Sequence, residues 1–284
     1  MNKFTRIILL PVYNEENTLE EELNKLLDKG DVFIIVNDGS TDISGDIILK
    51  WIENHKKTLQ IDSTENHINK LDSDKVKHHI EKHIKSSGDI SGYKYLAGKS
   101  RSVIYIEFPV NKGKSSALQE CFKIILSLYE DSIFKGEDTI IVTDADGQLP
   151  ADIISSATNY LKKENLDMLI GRRDFTSYPL FKRLGNYFLS RLAAILTGFN
   201  FHDTQCGFRI FTISVLEKIL PYYHARGYSC EQELSLIPVL LGMKLDNTFP
   251  VEPVYYRSNS TITDAFYITL DSFATWLKVK KGLL

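Results

Sequence analysis

The chain has 284 residues, 43% hydrophobic and 25% charged, with a formal net charge of −3. That balance is ordinary for a soluble globular protein and suits one large α/β domain or two small ones. No long basic run marks a nucleic-acid binder, no signal peptide opens the sequence, and no run of about 18 apolar residues offers a membrane span. The three cysteines (Cys121, Cys206, Cys230) are widely spaced with no CxxC. A reduced, cytoplasmic compartment is the expected setting.

Arg6 to Val12 (RIILLPV) reads as a buried strand, and Tyr13-Asn14-Glu15-Glu16-Asn17 turns out of it. Leu19, Leu23, Leu26 and Leu27 then recur at helical spacing. Asp31 to Val36 (DVFIIV) is a second buried strand, ending in Asn37-Asp38-Gly39-Ser40-Thr41-Asp42. Ser40 or Thr41 is suited to cap the next helix. Strand, helix, strand at this spacing is a parallel βαβ unit. In open α/β sheets the ligand sits outside the carboxyl ends of the strands. Tyr13 to Glu15 and Asp38 fall on that edge.

The rhythm breaks from about 54 to 102, a polar, lysine-rich stretch with five of the seven histidines. A connection this long is expected to be an inserted, peripheral and partly mobile lobe. Lys75 to Lys85 has helical character, which puts His79 and His83 on one face. No third ligand accompanies them, so the expected reading is a solvated face rather than a metal site.

Val103 to Ile106 is a third strand. Asn111-Lys112-Gly113-Lys114 leads into a helix with Leu118, Cys121, Phe122, Ile125 and Leu128 inward. Gly113-Lys114-Ser115 is not a phosphate loop, because the upstream glycine is replaced by Phe108. Lysines at a helix start can still meet a phosphate.

Thr139 to Pro150 (TIIVTDADGQLP) organises the rest. Its β-branched half is a strand buried on both faces. It stops in Asp144-Ala145-Asp146-Gly147-Gln148. Side chains alternate along a strand, so two carboxylates one residue apart share a side. Their repulsion is relieved by a hard cation such as Mg²⁺ or Mn²⁺, which takes oxygen ligands and often substrate phosphates. Gln148 adds a neutral oxygen.

Asp152 to Leu161 reads as a helix and Leu166 to Ile170 as a strand, closed by Gly171-Arg172-Arg173. Arginines at that edge can hold a phosphate by paired hydrogen bonds. Tyr187 to Leu196 is an apolar helix stopped by Gly198. Asp203-Thr-Gln-Cys-Gly-Phe-Arg209 follows, and then an acidic helix start carrying Glu231 and Glu233. Near the C-terminus Ile262, Phe266, Leu270, Phe273 and Leu277 form one apolar stripe, followed by Lys278, Lys280 and Lys281. Such a helix either packs on the domain or lies in a membrane interface.

The ordered set Pro11-Val-Tyr-Asn-Glu15, Asn37-Asp-Gly-Ser-Thr-Asp42, Asn111-Lys-Gly-Lys114, Asp144-Ala-Asp-Gly-Gln148 and Asp203 to Arg209 resembles family 2 glycosyltransferases of the GT-A fold. Within that family the chain is most similar to dolichyl-phosphate and polyprenyl-phosphate sugar synthases. The resemblance covers about Ile7 to Arg257 apart from the insert. It implies an α/β fold with a mostly parallel central sheet over 1–257, leaving 258–284 as the amphipathic helix. The insert and the lack of a transmembrane tail depart from many members.

The resemblance implies roles residue by residue. Pro11, Tyr13 and Glu15 line the nucleobase and ribose pocket, and Asp38 hydrogen-bonds the base. Lys114 approaches the nucleotide. Asp144, Asp146 and Gln148 hold Mg²⁺ or Mn²⁺ on the diphosphate, which neutralises the leaving group. A lipid-phosphate acceptor is already an anion, and Arg172, Arg173 or Arg209 would position it. A saccharide hydroxyl would instead need a base, for which Asp203 and Glu233 are the candidates. A non-catalytic nucleotide-sugar-binding protein is a third reading. The C-terminal helix would supply any peripheral contact with the cytoplasmic face of a membrane.

Overall fold

The computed structural model describes residues 4–56, 73–87, 90–97, 101–176, 178–253 and 261–282. In chain order, β1 (Arg6–Val12), α1 (Leu19–Leu26), β2 (Val32–Asn37) and α2 (Ser44–Asn54) come first. Within the insert lie α3 (Ser73–Ser87) and β3 (Gly92–Ala97). Then follow β4 (Ser102–Glu107), α4 (Lys114–Glu130), β5 (Thr139–Val142), α5 (Ile153–Lys163), β6 (Met168–Ile170) and β7 (Arg172–Arg173). The last part holds α6 (Leu180–Thr197), β8 (Arg209–Thr212), α7 (Ile213–Ile219), α8 (Cys230–Leu240), β9 (Leu245–Asp246), β10 (Pro250–Val251) and α9 (Ile262–Gly282).

Eight strands make one sheet in the order β3-β4-β2-β1-β5-β8-β6-β9. The runs Ile7 to Leu10, Phe33 to Val36 and Ile140 to Val142 are buried throughout, as strands covered on both faces must be. Strands β4, β2, β1 and β5 are mutually parallel. The flanks are mixed: β3 is antiparallel to β4, and β8 is antiparallel to both β5 and β6. The parallel centre sends the loops after β1, β2, β4 and β5 to one edge. Because β8 runs the other way and pairs Arg209 with Val142, the turn before β8 arrives at that same edge. β6, antiparallel to β8, sends the chain at Arg172 and Arg173 to that edge as well.

Two local expectations are corrected. Neither Ser40 nor Thr41 caps α2; instead Asp42 Oδ1 accepts from the Ser44 N–H at 2.9 Å. The insert helix α3 is not a solvated face. Val76 and Ile80 are buried in the core, His83 Nε2 meets Glu120 Oε1 at 2.5 Å, and His79 meets Asp131. β3 pairs antiparallel with β4 over its whole length and extends the sheet as an edge strand.

Helices α6, α8 and α9 pack against one another beyond the sheet edge. Gly198 ends α6 at φ 79° in the left-handed region, as its position predicts. The C-terminal stripe faces outward. Phe266, Leu270, Phe273 and Leu277 are exposed, while Ile268, Ser272, Thr275 and Val279 are buried. The side chain of Ile262 lies outside the described residues.

Candidate active site

The loops at the converging edge are laced by short polar side chains. Asn14 takes φ 54°, which asparagine tolerates. Its Oδ1 accepts from the Thr41 N–H at 2.8 Å, and Ser40 Oγ accepts from the Asn14 N–H at 3.1 Å. Ser44 Oγ accepts from the Glu15 N–H at 2.9 Å. Tyr13 and Glu15 thereby face a large cavity of about 1060 Å³. Asp38 also lines it and accepts from the Lys112 N–H at 2.8 Å. Burial raises the Asp38 carboxyl above its ordinary range, against the pull of the Lys112 and Gly113 N–H groups.

That hydrogen bond orders the chain into α4. Gly113 takes φ 87° immediately before Lys114. Ser115 then donates from its hydroxyl to the Gly227 carbonyl at 2.7 Å, tying the helix start to the loop before α8. Lys114 consequently sits between two acids. Its ammonium meets Asp144 on one side and Glu231 Oε1 at 2.6 Å on the other. Burial works against that charge, but Asp144 and Glu231 outweigh it and hold the lysine well above its usual range. Burial likewise opposes ionisation of Glu231, yet Lys114 and Arg209 pull its carboxyl down to about 2.

Asp144 and Asp146 end up at the cavity wall as the alternation predicts. Gln148 donates from Nε2 to Asp146 Oδ2 at 2.6 Å and from its backbone N–H to Oδ1 at 3.0 Å. Burial, and then the charge of Asp144, raises the Asp146 carboxyl. Beneath the loop, both carboxyl oxygens of buried Glu22 lack a hydrogen-bond partner, and burial pushes this acid up to about 7. The electrostatics fit a divalent cation: two half-buried acids side by side, already drawing a lysine ammonium to one of them. Among the described residues no three His, Cys, Asp or Glu side chains form a cation cage. Two carboxylates completed by diphosphate oxygens are the usual set for Mg²⁺.

The remaining predicted residues separate. Pro11, Tyr13, Glu15, Asp38, Lys114, Asp144, Asp146, Gln148 and Arg173 all line the cavity. Arg172 does not line it and borders instead a second groove of about 640 Å³, which Arg173 also touches. Arg173 is clamped by fully buried Asp203, with Nε to Oδ2 at 2.8 Å and Nη2 to Oδ1 at 3.0 Å. Asp203 serves that pair instead of facing the cavity. Arg209 is buried beneath, its Nη2 donating to the Thr204 and Glu231 carbonyls, both at 2.7 Å. Glu233 is buried on the other side of α8, where Oε2 accepts from the His224 N–H at 2.7 Å. The acid that reaches the cavity is Glu231. Sequence reading placed both acids at the helix start but not the roll of the helix that chooses between them.

A parallel-centred α/β sheet with an Asp-x-Asp loop at its carboxyl edge defines a glycosyltransferase of the GT-A fold. The chain belongs to glycosyl transferase family 2, whose model matches residues 7–71 and 74–220. A UDP-N-acetylglucosamine–dolichyl-phosphate N-acetylglucosaminyltransferase of Methanococcus voltae is 26% identical over 97% of this chain and 96% of that protein. A dolichyl-phosphate β-glucosyltransferase of Trichomonas vaginalis is 24% identical over 86% of this chain and 64% of that protein. Glucosyl-3-phosphoglycerate synthase of Mycobacterium tuberculosis, solved with Mn²⁺, UDP-glucose and phosphoglyceric acid, superposes with a TM-score of 0.59 over 97% of this chain and 79% of that one. At 14% identity that likeness is one of fold.

Proposed function

We propose that the protein transfers a sugar, with inversion, from a UDP-glucose- or GDP-mannose-type donor to a polyprenyl or dolichyl phosphate. The observation that carries this is the make-up of one cavity. It is lined both by the polar Asp144, Asp146 and Lys114 and by the apolar Phe181, Ala265 and Ile268 of α6 and α9. A polar diphosphate fits the first and the start of a lipid chain fits the second. The two relatives whose names carry dolichyl-phosphate sugar transfer support the same acceptor.

Asp144, Asp146 and Gln148 would hold Mg²⁺ or Mn²⁺. That ion, when bound, supplies the positive charge that stabilises the departing nucleoside diphosphate. Tyr13 and Glu15 would bound the nucleoside, and Asp38 would accept from the base. Lys114, kept protonated by its two acids, would bring a further cation to the diphosphate. Arg173, oriented by Asp203, would position the acceptor anion. Lys114 and Arg209 hold the Glu231 carboxyl low, so it stays ionised beside Lys114 and keeps that ammonium charged. Peripheral contact of α9 with the cytoplasmic face of a membrane would bring the lipid within reach.

The test is an acceptor screen with UDP- and GDP-sugars, Mn²⁺ or Mg²⁺, short polyprenyl phosphates and free oligosaccharides, read by mass spectrometry. A glycosylated polyprenyl phosphate is expected. Transfer confined to the oligosaccharides would overturn the reading.

A further inference from the structure

Helix α6 carries large apolar side chains on its outer face as well as its buried one. Its buried side carries Asn186 and Ser190 among Leu189, Leu192 and Ala193, whereas Leu184, Tyr187, Phe188 and Ile195 face solvent at 54–75% exposure. Helix α9 repeats the pattern. Ile268, Ser272, Thr275 and Val279 are buried, while Phe266, Tyr267, Leu270, Phe273 and Leu277 stand out at 45–61%. Of the sixteen large apolar side chains exposed among the described residues, eleven lie on these two helices. The helices touch each other, and both line the cavity. Exposed apolar surface concentrated in this way marks an interaction face.

The charges on these helices select the occupant. α6 has no acidic residue, and Arg183 and Arg191 are exposed beside its apolar side chains. The only acids on α9 are Asp264 and Asp271. Asp264 lines the cavity and accepts from the Thr261 N–H at 2.6 Å, and Asp271 accepts from the Ser229 hydroxyl. Lys280 and Lys281 are exposed at the far end. Outward apolar side chains flanked by cations, with the anions turned inward, complement an anionic lipid surface.

We infer that the outer faces of α6 and α9 together form one platform that docks on an anionic bilayer and sets the cavity mouth at the lipid surface. This deepens the lipid-phosphate reading and rests on it, but docking is measured without any acceptor. Two helices offer more apolar area than one, and interfacial binding strengthens with the area buried.

The experiment is co-sedimentation of the full chain with phosphatidylcholine vesicles containing about a third phosphatidylglycerol and no polyprenyl phosphate. The variants are Leu184→Ser with Phe188→Ser on α6, and Leu270→Ser with Phe273→Ser on α9. None of these residues lines the cavity. Circular dichroism and nucleotide titration check that fold and donor site persist. The expected result is binding by the wild type that falls at least about tenfold for either pair, and that weakens with salt and with Arg183→Gln plus Arg191→Gln. A wild type that stays in solution overturns the platform, and so does an α6 pair that binds as well as the wild type. A wild-type dimer that these pairs split into monomers, with no vesicle binding, assigns the face to a second copy and also overturns it. If vesicle binding behaves as expected but polyprenyl phosphate is not glycosylated, the acceptor assignment falls and the docking stands.

Discussion

Gly207 has no room for a side chain because the Asp144 carboxylate lies against it. A Cβ built at 207 falls 2.1 Å from Asp144 Oδ2. The antiparallel pairing of β8 with β5 forces this approach, since it sets Arg209 opposite Val142 and brings the two chain ends together. The Asp203 to Arg209 segment is therefore staging for the site. Asp203 fixes Arg173, Gly207 leaves space for Asp144, and Arg209 holds the carbonyls of Thr204 and Glu231.

Gly207→Ala should accordingly push the Asp144 carboxylate away from Lys114 while the sheet survives. A displacement of about 1 Å in a catalytic group costs on the order of 10²-fold in rate. The expected outcome is a loss of that size in turnover, a raised metal requirement and an unchanged circular dichroism spectrum. Wild-type turnover at limiting Mn²⁺ would contradict the assignment of Asp144.

Asp146→Asn should abolish transfer and Asp144→Asn should impair it less, because Lys114 already covers part of the Asp144 charge. Removing one stabilising group of this kind costs roughly 10²–10³ in rate. The measurement is turnover against Mn²⁺ concentration at saturating donor. Near-normal activity of Asp146→Asn would remove it from the metal set.

The two acids at the start of α8 should behave oppositely. Glu231→Gln takes away one of the two anions on Lys114 and is expected to lower kcat by about tenfold or more, a loss typical of an electrostatic group at a site. Glu233→Gln should leave kcat within about twofold, since Glu233 does not reach the cavity. Its effect is on stability. Burial, reinforced by Asp271, pushes the Glu233 carboxyl from 4.5 up to about 8. The folded protein then holds a proton that the unfolded chain has lost, so stability falls as pH rises from about 4.5 to about 8. Glu233→Gln removes that fall. Its melting temperature should match the wild type near pH 4.5 and exceed it above pH 8. Equal melting curves across that window would show that the carboxyl is not buried in this way.

What the sequence disclosed follows from which properties are local. The runs of Ile, Leu and Val before Tyr13, Asp38 and Asp144 identify buried strands, and a parallel sheet then puts those three residues on one edge. The choice of Glu231 over Glu233 is not local, because it depends on how α8 is rolled against α4. The same holds for the apolar stripe of α9. Period gives a stripe its width, but only packing against α6 and α8 decides that Ile268 turns in and Phe273 turns out. The strand β3 was hidden because an edge strand carries polar residues such as Lys94, which read as loop.

The insert supplies the last prediction. None of its described residues lines the cavity, yet they are docked on the domain. Val76 and Ile80 are 1% exposed, His83 and His79 meet acids at Glu120 and Asp131, and β3 covers the edge of β4. Replacing 56–98 by a short Gly/Ser linker should leave nucleotide affinity within about tenfold, roughly 1.4 kcal/mol. It should also lower the melting temperature, because it uncovers apolar contacts and an unpaired strand edge prone to association. Ile80→Ala isolates the packing part of that loss, and a buried Ile→Ala change costs about 2–5 kcal/mol. Isothermal titration with a nucleoside diphosphate and thermal denaturation separate the two effects. A donor affinity that collapses while the truncated protein remains folded would mean that the insert completes the donor site. An unchanged melting temperature would mean that α3 and β3 contribute no stability to the sheet they cover.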